Sequence, residues 1–289
     1  KPKQMFELGE IFRKEAGLHV WDRVDLILKI FAKHAKTSEA KLQIKLAAID
    51  HMGPRIFGMG MEMMQQAGGI GGRAGQGESN TEMMKRHLGA QADRVREELE
   101  RLAIGRKGTR TRRDRLGLKT VSIVGYTNAG KSSLLNAVTK KGAYVANKLF
   151  ATLDTRVGEL WLPEAKTSVL MSDTIGFIQD LPPQLISAFR STLDETIDAD
   201  LLLHVIDVND PYLHEKITEV EEILTDLETN HIPKIYVFNK IDLKKRLPRA
   251  TLLKQYKQFK PVFVSAQTKE GLAELKTQIE TQFFAKTRS

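Results

Sequence analysis

The stretch GYTNAGKS, Gly125 to Ser132, decides how this chain is read. It has the order glycine, four residues, glycine, lysine, serine. It stands between an apolar run, VSIVG (Val121 to Gly125), and a helical pattern from Lys131 to Lys140. Strand, glycine turn and helix start together form a cradle for a polyphosphate. The glycines let backbone N–H groups curl around the anion, and the helix N-terminus adds favourable partial charge. Lys131 would reach the terminal phosphates, while Ser132 would offer its hydroxyl to magnesium. The plain alternative is a strand-turn-helix with a solvated lysine.

Three further segments lie downstream in the order such a site requires. Asp173 ends an apolar run and opens DTIG, where an aspartate holds magnesium through water and the Gly176 backbone meets a γ-phosphate. NKID, Asn239 to Asp242, follows another apolar run. Its aspartate can accept hydrogen bonds from the guanine N1–H and 2-amino groups, whereas adenine presents a lone pair there and no amino group. Ser265 and Ala266, at the end of the last apolar run, suit a backbone contact to the guanine carbonyl. Each segment alone is weak, but in sequence they describe one guanine nucleotide site of the P-loop type.

Between the first two segments lies NKLFATLDTRVG, Asn147 to Gly158, where Thr152 would give its hydroxyl to magnesium only with a γ-phosphate present; Thr155 is the fallback. Phe177 follows Gly176 where many related GTPases carry a water-orienting glutamine. An apolar ring cannot orient water, so slow intrinsic hydrolysis, raised by a partner, is expected. Asn128 has two readings, as a ligand for potassium or as a loop-stabilising side chain.

Around these motifs the pattern is layered. VGELWL (Val157 to Leu162), SVLMSD (Ser168 to Asp173), LLLHVID (Leu201 to Asp207), KIYVFN (Lys234 to Asn239) and PVFVS (Pro261 to Ser265) read as strands. Helices fit Lys131 to Lys140, Gln184 to Ile197, Leu213 to Asn230 and Glu270 to Phe284. Strands alternating with helices predict an α/β P-loop domain with a mostly parallel sheet and its site at the strands' C-terminal ends.

Upstream the texture differs. Helical spacing runs from Val20 to about Gln66, through Val24, Leu28 and Phe31, then Leu42, Leu46 and Ile49. AGGIGGRAGQG, Ala67 to Gly77, is too rich in glycine for a helix interior and reads as a loop, or as a flexible linker. Thr81 to Ile104 resumes a polar helical pattern, and RKGTRTRRDRLGLK (106 to 119) reads as a basic domain junction. The expected division is therefore an α-rich part over 1–118, which contains a helical hairpin, a glycine loop and the basic linker, and a nucleotide-binding domain over 119–289.

Composition agrees with two domains. The chain has 289 residues, 41% of them apolar and 28% charged, which excludes a wholly disordered chain. It contains no cysteine, so disulfides, thiolate metal sites and cysteine nucleophiles are excluded together. No apolar run is long enough to span a membrane. The net charge of +9 is uneven, because residues 1–118 hold 23 Lys and Arg against 15 Asp and Glu. A polyanion partner for that half is one reading, and a solvated surface is the other.

The motifs extend into longer signatures. LFATLD (Leu149 to Asp154) and DTIGFIQDLPPQLISAFRSTLDE (Asp173 to Glu195) resemble the HflX GTPases. DRVDLILKIFAKHAKTSEAKLQIKLA (Asp22 to Ala47) and GGIGGRAGQGES (Gly68 to Ser79) resemble the same family's N-terminal domain, hairpin and glycine loop. Against the family pattern the chain has Thr155-Arg156 after LFATLD and Gly75 to Ser79 in the loop. The resemblance implies a chain that begins inside its first domain, and a GTPase whose hairpin enters the large ribosomal subunit in splitting, rescue or recycling under stress. The alternative is a ribosome-assembly or RNA-binding nucleotide switch in which hydrolysis is incidental.

The expected GTP site comprises Gly125, Tyr126, Thr127, Asn128, Ala129, Gly130, Lys131, Ser132 and Ser133, with Phe150, Ala151 and Thr152 from the first switch. Asp173, Thr174, Ile175 and Gly176 follow, then Asn239, Lys240, Asp242, Ser265 and Ala266. Lys131, Gly176 and Asn128 are the expected catalytic residues. Ser132 and Thr152 are the expected Mg2+ ligands, with Asp173 acting through water and K+ as a second cation. The resemblance further implies ribosomal RNA as partner, a monomer, and a cytoplasmic location, with a peripheral membrane or organelle-matrix location as alternatives.

Overall fold

The computed structural model describes residues 2–16, 18–52, 75–139, 156–173, 176, 196–243 and 248–284. These residues fall into two compact units, divided along the chain between Arg106 and Lys107.

The first unit is helical: α1 (Pro2–Ala16), α2 (Arg23–His34), α3 (Ser38–Met52) and the start of α4 (Gly75–Arg115). Asp22 caps α2 reciprocally with Asp25. The Asp22 carboxylate accepts the Asp25 N–H at 2.8 Å, and the Asp25 carboxylate accepts the Asp22 N–H at 3.0 Å. Leu28, Phe31 and Ile49 are buried as the spacing required, whereas Val24, Leu42 and Leu46 are half-buried. Small Ala40 and Ala47, with Ile44, take the inner face of α3, which turns the buried stripe by about one residue.

In the basic stretch 106 to 119, expected as a junction, the backbone is mostly helix, because α4 runs for 41 residues without interruption to Arg115. Arg and Lys are good helix formers and no proline intervenes. The helix stops at Gly117, whose φ of 63° is left-handed, while the Leu118 N–H reaches back to the Arg113 carbonyl at 3.2 Å. Gly75 to Gly77, expected in the loop, begin this helix. Ala67 to Ala74 lie outside the described residues.

The second unit holds a six-stranded sheet. Its strands are β1 (Thr120–Val124), β2 (Arg156–Leu162), β3 (Thr167–Asp173), β4 (Leu201–Asp207), β5 (Lys234–Asn239) and β6 (Val262–Phe263). They lie in the order β2-β3-β1-β4-β5-β6, and only the β2–β3 pair is antiparallel. The expected mostly parallel α/β fold is therefore present. Helices α5 (Lys131–Val138), α6 (Leu213–Asp226), α7 (Arg249–Gln255) and α8 (Leu272–Phe284) complete the described unit.

Two cores form. Val121, Ile123, Val205 and Val237 pack with Leu134, Leu135, Leu275 and Ile279 of α5 and α8. Ile206, Phe238 and Phe263 pack with Leu213, Ile217, Leu252 and Tyr256 of α6, α7 and the turn after α7. The strand order reverses at β1, which lies between β3 and β4, so a crevice opens beyond its C-terminal end.

Several elements differ from the sequence reading. β6 is shorter than Pro261 to Ser265, since Pro261 has no N–H to donate. Helix α6 ends at Asp226, before a left-handed Glu228 (φ 58°) and a 3-10 turn over Thr229–His231. Helix α7 was not foreseen; it is only 7 residues long and opens after Pro248. Most of the expected helix from Gln184 to Ile197 lies outside the described residues. None of the described helices is long and apolar enough to cross a membrane.

Helix α8 starts two residues late, after Gly271. That residue has φ 74°, and a Cβ there would fall 2.0 Å from the Phe263 carbonyl oxygen. Gly271→Ala should therefore destabilise the protein by about 2 kcal/mol or more, read as a lowered urea midpoint at unchanged m-value.

Candidate functional site: a nucleotide cradle at the end of β1

The cradle is shaped by close approaches. At Gly125 the chain leaves β1 with φ 144°, and a Cβ there would lie 2.3 Å from the Val205 carbonyl oxygen of β4. Gly130, with φ 96°, is the N-cap of α5, and a Cβ there would meet Asn239 Nδ2 at 2.2 Å. Both positions of the glycine motif are therefore steric requirements of the fold, independent of any ligand. Asn128 takes φ 64° and is exposed, a left-handed conformation that asparagine tolerates. On the outer side, the Lys216 ammonium lies 4.4 Å from the Tyr126 ring centre and pairs with Asp210 at 2.5 Å.

Lys131 is the first residue of α5 and is buried. Its ammonium donates to the carbonyls of Gly125 at 3.0 Å and Tyr126 at 2.9 Å. Burial pulls its pKa down to about 8, and Asp173 opposes that shift. The next residue, Ser132, donates from its hydroxyl to Asp173 Oδ2 at 2.5 Å. A hydroxyl and a carboxylate in contact at a helix N-terminus are hard oxygen donors of the kind magnesium takes. Gly176 closes this side; a Cβ there would sit 2.8 Å from both Lys131 Nζ and Thr127 Cγ2.

The base-reading segments meet the cradle through Asn239, which is 1% exposed. Its Nδ2 donates to the Ala129 carbonyl at 2.9 Å, and its Oδ1 accepts the Ala266 N–H at 3.1 Å. Asn239 thus spends its side chain on holding loops together. Asp242 is exposed, with one carboxylate oxygen accepting the Ser265 hydroxyl at 2.6 Å; the Ser265 oxygen in turn accepts the Thr268 N–H at 2.9 Å.

The structure brings together Gly125 to Ser133, Asp173, Gly176, Asn239, Lys240, Asp242, Ser265 and Ala266 at the C-terminal ends of β1, β3, β5 and β6. Phe150, Ala151, Thr152, Thr155, Thr174, Ile175 and Phe177 lie outside the described residues. Two residues that the sequence reading passed over are also here. Asp207 pairs with the Lys240 ammonium at 2.7 Å, and Asn209 donates to the Lys240 carbonyl at 2.9 Å. They follow the apolar run of β4 as D-V-N, an acid and an amide at a strand end, which is the one signal that marked them.

The comparisons agree with this geometry. The 50S ribosome-binding GTPase family matches residues 120–240, and the GTP-binding GTPase middle region matches residues 34–113. GTPase HflX of Caldanaerobacter subterraneus is 45% identical over 271 residues, covering 94% of this chain and 61% of that protein. GTPase HflX of Escherichia coli is 41% identical over 257 residues, covering 89% and 60%. The chain therefore spans about three-fifths of the length of these relatives. Among solved structures, a GTP-binding protein of the archaeon Sulfolobus solfataricus in complex with GDP is 25% identical with a TM-score of 0.58, covering 98% of this chain and 77% of that one.

Sheet order, glycine cradle and base-reading loops define a P-loop protein of the GTPase class. With the matches on both sides of residue 118, the chain belongs to the HflX family.

The Lys131 ammonium sets a pH dependence. A phosphate beside it favours the charged form, so binding takes up a proton once solution pH passes the free value near 8. GDP affinity should fall about fourfold between pH 7 and pH 8.5, measured by fluorescence titration. A flat profile would show that Lys131 stays charged in the free protein.

Proposed function

We propose that the chain hydrolyses GTP to GDP and phosphate while bound to the large ribosomal subunit, and acts in splitting, rescue or recycling of ribosomes under stress. The single observation that carries hydrolysis is the convergence of Lys131, Ser132, Asp173 and Gly176 at the end of β1. The family match described as ribosome-binding supports the partner, as does the excess of Lys and Arg in residues 1–118. In this reading residues 1–118 face ribosomal RNA and residues 119–289 bind GTP. The protein acts as a monomer in the cytoplasm.

Lys131 gives up its loop carbonyls and places its charge on the terminal phosphates. The N–H groups at the start of α5 and the backbone of Gly176 take the remaining phosphate oxygens, so charge developing in the transition state meets donors already aimed at it. Ser132 and Thr152 would hold Mg2+, with Asp173 acting through a water, and the ion would supply charge neutralisation for the phosphates when bound. Asn128 would hold K+, a second cation that adds positive charge for the phosphates. Phe177 orients no water, so the ribosome supplies that part of catalysis.

Asp242 selects guanine. Asp242→Asn should lower GDP affinity and raise xanthosine diphosphate affinity, each by about tenfold or more. The partner is tested by GTPase rates with and without purified large subunits. Stimulation on the order of a hundredfold is expected. Equal rates would instead favour a nucleotide switch whose hydrolysis is incidental. Equal rates in sodium and potassium would remove the K+ role of Asn128.

A further inference from the structure

Lys240, the second residue of the base-reading loop, is held in an unusual way. Its φ of 64° is left-handed, a conformation a side-chain-bearing residue keeps only where neighbours over-determine it. Its carbonyl accepts Asn209 Nδ2 at 2.9 Å, and its ammonium pairs with Asp207 Oδ2 at 2.7 Å. Asp207 Oδ1 also accepts the Asn209 N–H at 2.9 Å, so the two gripping residues fix each other. Both sit at the end of β4, where Asp207 lies in register with Asn239 of β5. Between its two anchors the Lys240 stem crosses the cradle, with Cε 3.9 Å from where a Cβ on Gly130 would stand.

We infer that Asp207 and Asn209 are positioning residues for guanine recognition. They hold the Lys240 stem as a platform for one face of the base whose edge Asp242 reads. The inference rests on the assignment of Asp242 as the guanine reader. A lysine stem is apolar and can cover a ring while its charge stays anchored elsewhere. With Lys240 and Asp207 about one-fifth exposed, the pair is too wet to be a strong stabiliser of the fold, and orientation is what it supplies. Asp242 chooses which purine binds. The platform sets how tightly any purine binds.

The test separates base from phosphate by calorimetric binding of GDP and of inorganic pyrophosphate, which engages the cradle alone. Asn209→Ala and Asp207→Asn should each weaken GDP by about tenfold and leave pyrophosphate binding unchanged. Lys240→Met keeps the stem and loses its anchor, so it should weaken GDP to a similar degree. Adding Asp207→Asn to it should cause no further loss, since both changes remove the same pairing. Unchanged GDP binding in the single variants would overturn the inference. Parallel loss of GDP and pyrophosphate would overturn it too, since it would place the residues in support of the cradle. Additive loss in the double variant would have the same force. Asp242→Asn, run alongside with xanthosine diphosphate, tests the underlying assignment separately. No gain of xanthine binding there would remove the guanine reader itself, whatever the Asp207 and Asn209 variants do.

Discussion

One side chain joins the parts of this site. Asn239, at the end of β5, donates to the Ala129 carbonyl of the phosphate loop and accepts the Ala266 N–H beyond β6. A single carboxamide thus ties three loops from three strands. It is almost wholly buried, so losing either bond would leave a polar group without water to replace it. Gly130 has no side chain in part because Asn239 occupies that space, which couples the glycine motif to a residue more than a hundred positions away.

The same geometry brings a buried cation and two oxygen donors to the end of β1. Lys131 is buried, with two carbonyls accepting from its ammonium and the Asp173 carboxylate nearby, and burial lowers its pKa. A polyphosphate supplies the charge partner that the carbonyls replace only in part. The Ser132–Asp173 contact brings together two oxygen donors, one from α5, which follows the phosphate loop, and one from β3, the strand paired with β1. Donors fixed in place in this way are the arrangement that favours developing transition-state charge.

Much of this was legible in the residues. The strands were, because runs such as LLLHVID and KIYVFN are apolar on both faces, as buried parallel strands must be, and their ends fall where the apolar residues end. The phosphate loop was legible because Gly125 and Gly130 answer local steric demands. What escaped depends on contacts between distant segments. Asp207 and Asn209 gain meaning only when β4 pairs with β5, and the linking role of Asn239 only when Ala129 and Ala266 are brought to it. The extension of α4 through Arg115 escaped for another reason: the concentration of charge suggested a junction between domains, while helix propensity governed the backbone.

The HflX assignment joins this site to a basic helical half, in which α4 carries Arg106, Lys107, Arg110, Arg112, Arg113 and Arg115 in its last turns. The central claim is that the nucleotide governs attachment to the large ribosomal subunit. Its most direct test is sedimentation with purified subunits, with GDP and with a non-hydrolysable GTP analogue, across salt concentrations. The account predicts pelleting with large subunits in the analogue state, weaker pelleting with GDP, and loss of binding as salt rises. Equal pelleting in both nucleotide states, or none in either, would contradict it.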